Sequence, residues 1–230
     1  MSWIQTYTLR AFDLLSPTPE MVDAEDIAHA LSRINRFSGH THGEPYSVAH
    51  HSMLVADLLA SWGAPPEVVR EGLLHDAGEA YYGDITSPVK RAMECATRIE
   101  PSGERVGVGS SLPLVTMEID RVVRSALMLP EHESAIVKRA DLVALAIERR
   151  DLFGDKPEPR DWELPEYAPM IAPCDRLHRP FVEWESAPPG RMHARRLVPW
   201  AEAKARFLAL LAEPVGGDVE QGALGGTRRL

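Results

Sequence analysis

The stretch LLHDAGEAYYGD, residues 73–84, sets one histidine and three carboxylates beside an apolar run. Its periodicity predicts a helix over about 67–80, ended by Gly83. On such a helix His75 and Glu79 are four residues apart and Asp76 and Glu79 three apart, so all three reach one side. A solvated helix face would not carry these groups next to Leu73, Leu74 and Ala77. Burying them together is costly unless hydrogen bonds or a cation compensate, and a divalent metal is the largest compensation.

Outward from this stretch the same three- and four-residue spacing of apolar residues returns in several windows, and β-type alternation never persists, so the class is all-α. Helices are expected over about 24–35, with Ile27, Ala28, Leu31 and Ile34 on one stripe and Asp23 as cap, and over 48–62, with Ser47 as cap. A short helical piece follows Pro88, and EPSGERVGVGSSLP (100–113) reads as a flexible insertion. Further helices are expected over 114–129, over 131–152 with Ile136, Ala140, Val143 and Ile147 on one side, and over 200–212. The expected organisation is one helical domain over 1–213, with insertions near 95–116 and 154–198; the latter is a proline-rich excursion with a short helix at most. Residues 214–230 form a tail without an apolar face to bury, expected to be disordered.

Composition narrows the function. With 25 basic and 34 acidic side chains the net charge is −9, so the long-range field opposes a nucleic acid polymer. The same field repels a small phosphorylated molecule, so a phosphate site here needs a local positive centre. Cys95 and Cys174 are far apart and read as free thiols. The N-terminus lacks a basic stretch followed by an apolar run, and no segment approaches the roughly 20 apolar residues of a membrane span. A soluble, cytoplasmic protein is expected.

A metal at His75 and Asp76 needs further ligands. His51 faces inward with Leu54, Val55 and Leu58, and Asp141 interrupts the apolar run of VKRADLVALAIERR (137–150). Taken singly, each is more often a hydrogen-bonded core residue than a ligand. A mixed nitrogen and oxygen set suits one divalent transition metal, Mn, Co, Fe, Ni or Zn, more than calcium, with Mg left open.

The order His51, His75-Asp76, Asp141 on helices resembles the H…HD…D signature of the HD-domain superfamily of metal-dependent phosphohydrolases. SVAHHSMLVADLL (47–59) and HDAGEAYYGDITSPVK (75–90) are similar to its bacterial 5′-nucleotidase-like branch. The resemblance covers roughly 22–94 and 117–152 and continues weakly into the last helix. It implies an HD-domain helical bundle with His51, His75, Asp76 and Asp141 as metal ligands. Of the adjacent histidines it selects His51; His50 points about 100° away and is expected at the surface.

By the same resemblance, the loop RINRFSGHTHGEPY (33–46) sets Arg36 against the phosphate and Phe37 against the sugar or base. His40 could meet phosphate or donate a proton, His42 reads as surface, and Lys90 could neutralise phosphate charge. Relatives selective for deoxyribose often carry Trp at the place of Phe37. Glu79 is placed to orient the attacking water or exchange a proton with it, and Asp84 to hold the leaving oxygen or a sugar hydroxyl. The function implied is hydrolysis of a (deoxy)nucleoside 5′-monophosphate with release of phosphate. The alternatives are a (d)NTP triphosphohydrolase releasing tripolyphosphate and a catalytically weak nucleotide-binding HD module. A cyclic-dinucleotide phosphodiesterase is disfavoured, because the residues after Asp76 are not those of the HD-GYP branch. The helices near 117–150 leave a homodimer open.

Overall fold

The computed structural model describes residues 2–42, 44–95, 97–99, 101–107, 111–153, 162, 182–186, 192–197 and 199–213. The fold is all-α, built around helix α2 (Val48–Ser61). Ser47 caps α2 by accepting from the amide of His50, and Trp62 and Gly63, the latter at φ +73°, end it. α2 is buried along most of its length. On one side Leu54, Val55, Leu58 and Leu59 pack with Val137, Ala140, Val143, Ala144 and Ile147 of α7 (Ala135–Leu152). On the other, Val48, Ala49 and Met53 share a core with Ile27, Ala28 and Leu31 of α1 (Ala24–Leu31) and Ala203 and Phe207 of α8 (Trp200–Ala212).

α1 begins, as expected, where the Asp23 carboxylate accepts the amide of Glu25. It ends at Leu31 rather than near Asn35, because the following backbone pairs elsewhere: Arg36 N–H donates to Tyr46 O, and Val48 N–H to Ile34 O. This short ladder straps the 36–46 loop to the start of α2.

α3 (Pro66–Leu74) starts on the Pro pair, as its fixed φ favours, and presses on α2 at Gly72, where an added Cβ would lie 2.2 Å from Leu59 Cδ1. The continuous helix expected over 67–80 is broken. α3 stops at Leu74 and α4 (Glu79–Tyr82) resumes after a tightened stretch in which Ala77, Glu79 and Ala80 each donate to the carbonyl three residues back. The cause is local: the Gly72 carbonyl, which an uninterrupted α-helix offers to the amide of Asp76, accepts from His75 Nδ1 at 2.8 Å. His75 and Asp76 therefore lie at a helix joint.

α5 (Ser87–Glu94) follows with Pro88 in its first turn. α6 (Leu112–Ala126) starts two residues before the expected Leu114, since Pro113 is tolerated in a first turn. α7 starts at Ala135 rather than Glu131, because the Ser134 amide is held from α3 by Glu71 Oε1 at 2.9 Å.

Short hairpins decorate the helices where no strand was expected. β1 (Trp3–Gln5) pairs antiparallel with β2 (Ala11–Asp13), seating Phe12 on Tyr81 at 3.8 Å between ring centres. β3 (Thr97–Ile99) pairs with β4 (Arg105–Gly107) inside the expected insertion over 95–116. β5 (Val182–Ser186) pairs with β6 (Met192–Leu197) inside the stretch expected to hold a short helix at most. Strands of three to six residues are too short for period-two alternation to register. Most of 154–181 and all of 214–230 lie outside the described residues, as does Cys174. Among the described residues no helix is long and apolar enough to cross a membrane.

Candidate metal centre

Three helical segments deliver the centre. His51 comes from the first turn of α2, His75 and Asp76 from the joint after α3, and Asp141 from α7. His51 Nε2 lies 3.3 Å from His75 Nε2 and 3.3 Å from Asp141 Oδ1. His75 Nε2 lies 4.0 Å from Asp141 Oδ1. These three residues form a group able to hold a metal ion, with one donor atom from each and all within 4.8 Å of one another. Asp76 Oδ2 borders the group, 3.2 Å from His75 Nε2 and 3.6 Å from His51 Nε2. Adjacent donors bonded at about 2.0–2.1 Å to one cation stand about 2.8–3.4 Å apart in octahedral to tetrahedral arrangements, and the contacts of His51 with His75 and Asp141 and of His75 with Asp76 fall in that range.

The outer nitrogens fix which ring atoms face inward. His51 Nδ1 meets Glu148 Oε1 at 2.7 Å, and His75 Nδ1 meets the Gly72 carbonyl. Ionised carboxylates and carbonyls only accept, so each Nδ1 carries a hydrogen, and in the neutral rings that a metal takes as ligands each Nε2 turns a lone pair towards the other. Two facing lone pairs beside two carboxylates call for positive charge between them. The donor chemistry fits a divalent cation.

The electrostatics show the same demand for positive charge, which draws protons to both rings. Burial opposes a proton on His75, yet Asp76, Asp141 and the Gly72 carbonyl outweigh it and hold the pKa up at about 9. Burial and Arg36 oppose a proton on His51, and Glu148 and Asp141 outweigh them, so its pKa is also raised. For Asp76 burial pushes upward, but the two imidazoles win and hold it well below the usual carboxylate range. Asp141 is depressed in the same way, against burial, by His51, His75 and Lys138, whose Nζ lies 2.7 Å from Oδ2.

Glu79 behaves oppositely. Burial first, then the charges of Asp76 and Asp84, push it up to about 9, and its Oε2 is buried without a hydrogen-bond partner. Asp84 is raised by burial and Asp76 against the pull of Arg36, His51 and Lys90. Half-buried Lys90 therefore sends its charge towards both acids. Behind Glu79, Tyr82 donates to Asp120 Oδ1 at 2.9 Å, and Gly78 leaves room for that carboxylate: an added Cβ would lie 1.9 Å from the same oxygen.

Arg36 enters through an unusual backbone. Phe37, Ser38 and Gly39 have φ of +55°, +52° and +76°, a left-handed run that costs energy at the two non-glycine positions. The guanidinium turns inward, with Nη2 3.2 Å from Glu148 Oε2 and Nη1 3.6 Å from Asp76 Oδ2. Its Nε is buried without a partner. Phe37 packs edge-on to Phe153 at 5.1 Å between ring centres and lies 6.0 Å from Trp162.

Three further histidines complete the placement. His50 is buried, not at the surface: its Nδ1 lies 2.7 Å from Ser47 Oγ and completes the cap of α2. His40 and His42 are exposed on the loop, and the amide of His42 donates to Leu152 O at the end of α7. Sequence reading missed Glu148. It sits seven residues after Asp141 on the same face of α7, a spacing that could have signalled it, but the run Glu148-Arg149-Arg150 reads as a solvated helix end.

Comparison with known proteins gives two relatives. The chain is 38% identical over 155 residues to the uncharacterized protein YfdR of Escherichia coli (strain K12), covering 67% of this chain and 75% of that protein. It is 34% identical over 169 residues to the uncharacterized protein RCAP_rcc00048 of Rhodobacter capsulatus, covering 69% of this chain and 82% of that protein. No protein-family model matches the chain.

Proposed function

The chain belongs to the family of YfdR and RCAP_rcc00048, and from its buried centre we propose that it is a metal-dependent phosphohydrolase of a small nucleotide, first a (deoxy)nucleoside 5′-monophosphate. The observation that carries this reading is the pair of inward-facing Nε2 atoms 3.3 Å apart, each with its Nδ1 engaged, next to Asp76 and Asp141. The nucleotide part rests on the HD-domain resemblance of 47–59 and 75–90.

His51, His75, Asp76 and Asp141 would hold the cation, with Mn, Co, Fe, Ni or Zn suiting the mixed donors. When bound, the metal lowers the pKa of water and stabilises charge on phosphate oxygens. Arg36 presents a second positive group, and its buried Nε is free to meet a phosphate oxygen. Glu79 stands near Asp76, Asp84, Arg36 and Lys90, placed to exchange a proton with the attacking water. In the reaction a water oxygen bonds to phosphorus as its proton passes to Glu79, and the bond from phosphorus to the ester oxygen breaks as that oxygen takes a proton from solvent beside Asp84. Glu79 then returns its proton to solvent, so the products are the nucleoside and inorganic phosphate. Lys90 and Asp84 flank this path, and Phe37 with Phe153 offers an aromatic wall to the sugar or base.

The test is a screen of nucleoside mono-, di- and triphosphates with each metal. Product is read as phosphate, pyrophosphate or tripolyphosphate, for the wild type and Asp76→Ala. Metal-dependent phosphate release from monophosphates, lost in the variant, is expected. Tripolyphosphate release would move the substrate to (d)NTPs, and no turnover over the whole panel would leave a nucleotide-binding module.

A further inference from the structure

Glu148 is fully buried, and its two oxygens do different things. Oε1 accepts from Nδ1 of His51 at 2.7 Å, and Oε2 accepts from Nη2 of Arg36 at 3.2 Å. The first contact selects the imidazole tautomer whose Nε2 is open to a cation. The second holds the guanidinium whose other arm lies 3.6 Å from Asp76. α7 carries Asp141 and Glu148 two turns apart on one face, so one rigid element sets both a ligand and the support of another ligand.

We infer that Glu148 is a positioning residue that joins the metal centre to the phosphate-binding arginine, fixing His51 for the cation with one oxygen and Arg36 for the substrate anion with the other. This rests on the metal-centre reading given above. Two acceptor oxygens are required, and a glutamine offers one. If its carbonyl serves His51, its amide faces Arg36, donor against donor, and the guanidinium is released. If its carbonyl serves Arg36, its amide donates to Nδ1 and drives the hydrogen onto Nε2, where it blocks ligation. Glu148→Gln therefore damages either anion binding or metal binding, and neither amide orientation preserves both.

The control is Glu71, another buried glutamate, which holds Arg124 at 2.9 Å and the Ser134 amide. It makes none of the contacts described for the centre, so its loss should lower stability alone.

The experiment strips the full chain of metal and titrates Mn²⁺ by calorimetry into wild type, Glu148→Gln, Glu148→Asp and Glu71→Gln, alongside Tm. KM is measured at saturating Mn²⁺. Expected are a 10–100-fold weaker Mn²⁺ Kd or a raised KM, or both, in Glu148→Gln, and partial recovery in Glu148→Asp, which keeps two acceptors. Glu71→Gln should lose Tm with Mn²⁺ Kd within about twofold of wild type. ¹⁵N-histidine spectra of the Zn²⁺-loaded chain should show the His51 hydrogen on Nδ1 in wild type. Should Glu148→Gln not fold, that tautomer and the Glu148→Asp titration decide. Wild-type Mn²⁺ Kd and KM in Glu148→Gln, or a loss of Tm alone, would overturn the inference while leaving the metal centre standing. A wild type that binds no Mn²⁺ would remove both.

Discussion

Two buried charge assemblies lie one helical turn apart at the C-terminal end of α3, at Glu71 and at His75, and they are closed in different ways. At Glu71, one carboxylate meets one guanidinium: Arg124 gives Nη2 to Glu71 and Nε to the Pro130 carbonyl at 2.6 Å, and the same Glu71 oxygen takes the Ser134 amide. The two charges balance inside the chain, and the result pins α3, α6 and the start of α7 together. At the metal centre Asp76, Asp141, Glu148, Glu79 and Asp84 surround Arg36 and two imidazoles whose Nε2 atoms face one another. Glu79 Oε2 and Arg36 Nε stay unpartnered. A balanced buried pair is a structural fastening, whereas a buried set with open donor atoms is arranged for something that arrives from outside.

The sharpest way to break this contrast is at Asp141. Asp141→Ala should lower phosphate release at least about 10³-fold, equivalent to roughly 4 kcal/mol in the transition state, with the helical circular dichroism retained. Normal turnover in that variant would reduce the centre to another fastening. At the other assembly, Arg124→Met leaves Glu71 buried and uncompensated and should cost about 3–5 kcal/mol in denaturant unfolding, with Mn²⁺ Kd unmoved. Adding Glu71→Leu in the same chain should recover much of that loss, because an apolar pair needs no charge balance.

Metal itself should stabilise only the open set. At a Mn²⁺ concentration 100 times its Kd the wild type should gain about 2.7 kcal/mol, read as a rise in Tm, and Asp141→Ala should gain far less. The smallest effect concerns Asp57, further along α2, where burial alone raises the carboxyl from 3.8 to about 6. A raised acid pKa means that the folded state holds the proton more tightly, so stability falls as pH rises from about 4 to 6 and stays lowered above. Asp57→Asn should therefore be more stable than wild type by about 1 kcal/mol at pH 8, and no more stable at pH 3.5. Equal unfolding midpoints at pH 8 would show that water relieves this carboxylate.

The amino-acid order alone carried the all-α class, the cap at Ser47, and the candidate set His51, His75, Asp76 and Asp141. Those features are local or periodic: an apolar stripe and a capping residue act within one or two turns, and histidines or acids interrupting such a stripe are visible in one dimension. The break at His75 was hidden, because it depends on a side chain competing for its own helix's carbonyl. His50 was misread because a capping role for an N3 histidine looks the same as exposure until the ring is seen against Ser47. Only the tertiary structure decided that Glu148, inside an apparently solvated Glu-Arg-Arg helix end, faces inward to His51 and Arg36, 97 and 112 residues away. No local pattern encodes that choice, since the partners meet only when α2, the left-handed turn at 37–39 and α7 close around the same point.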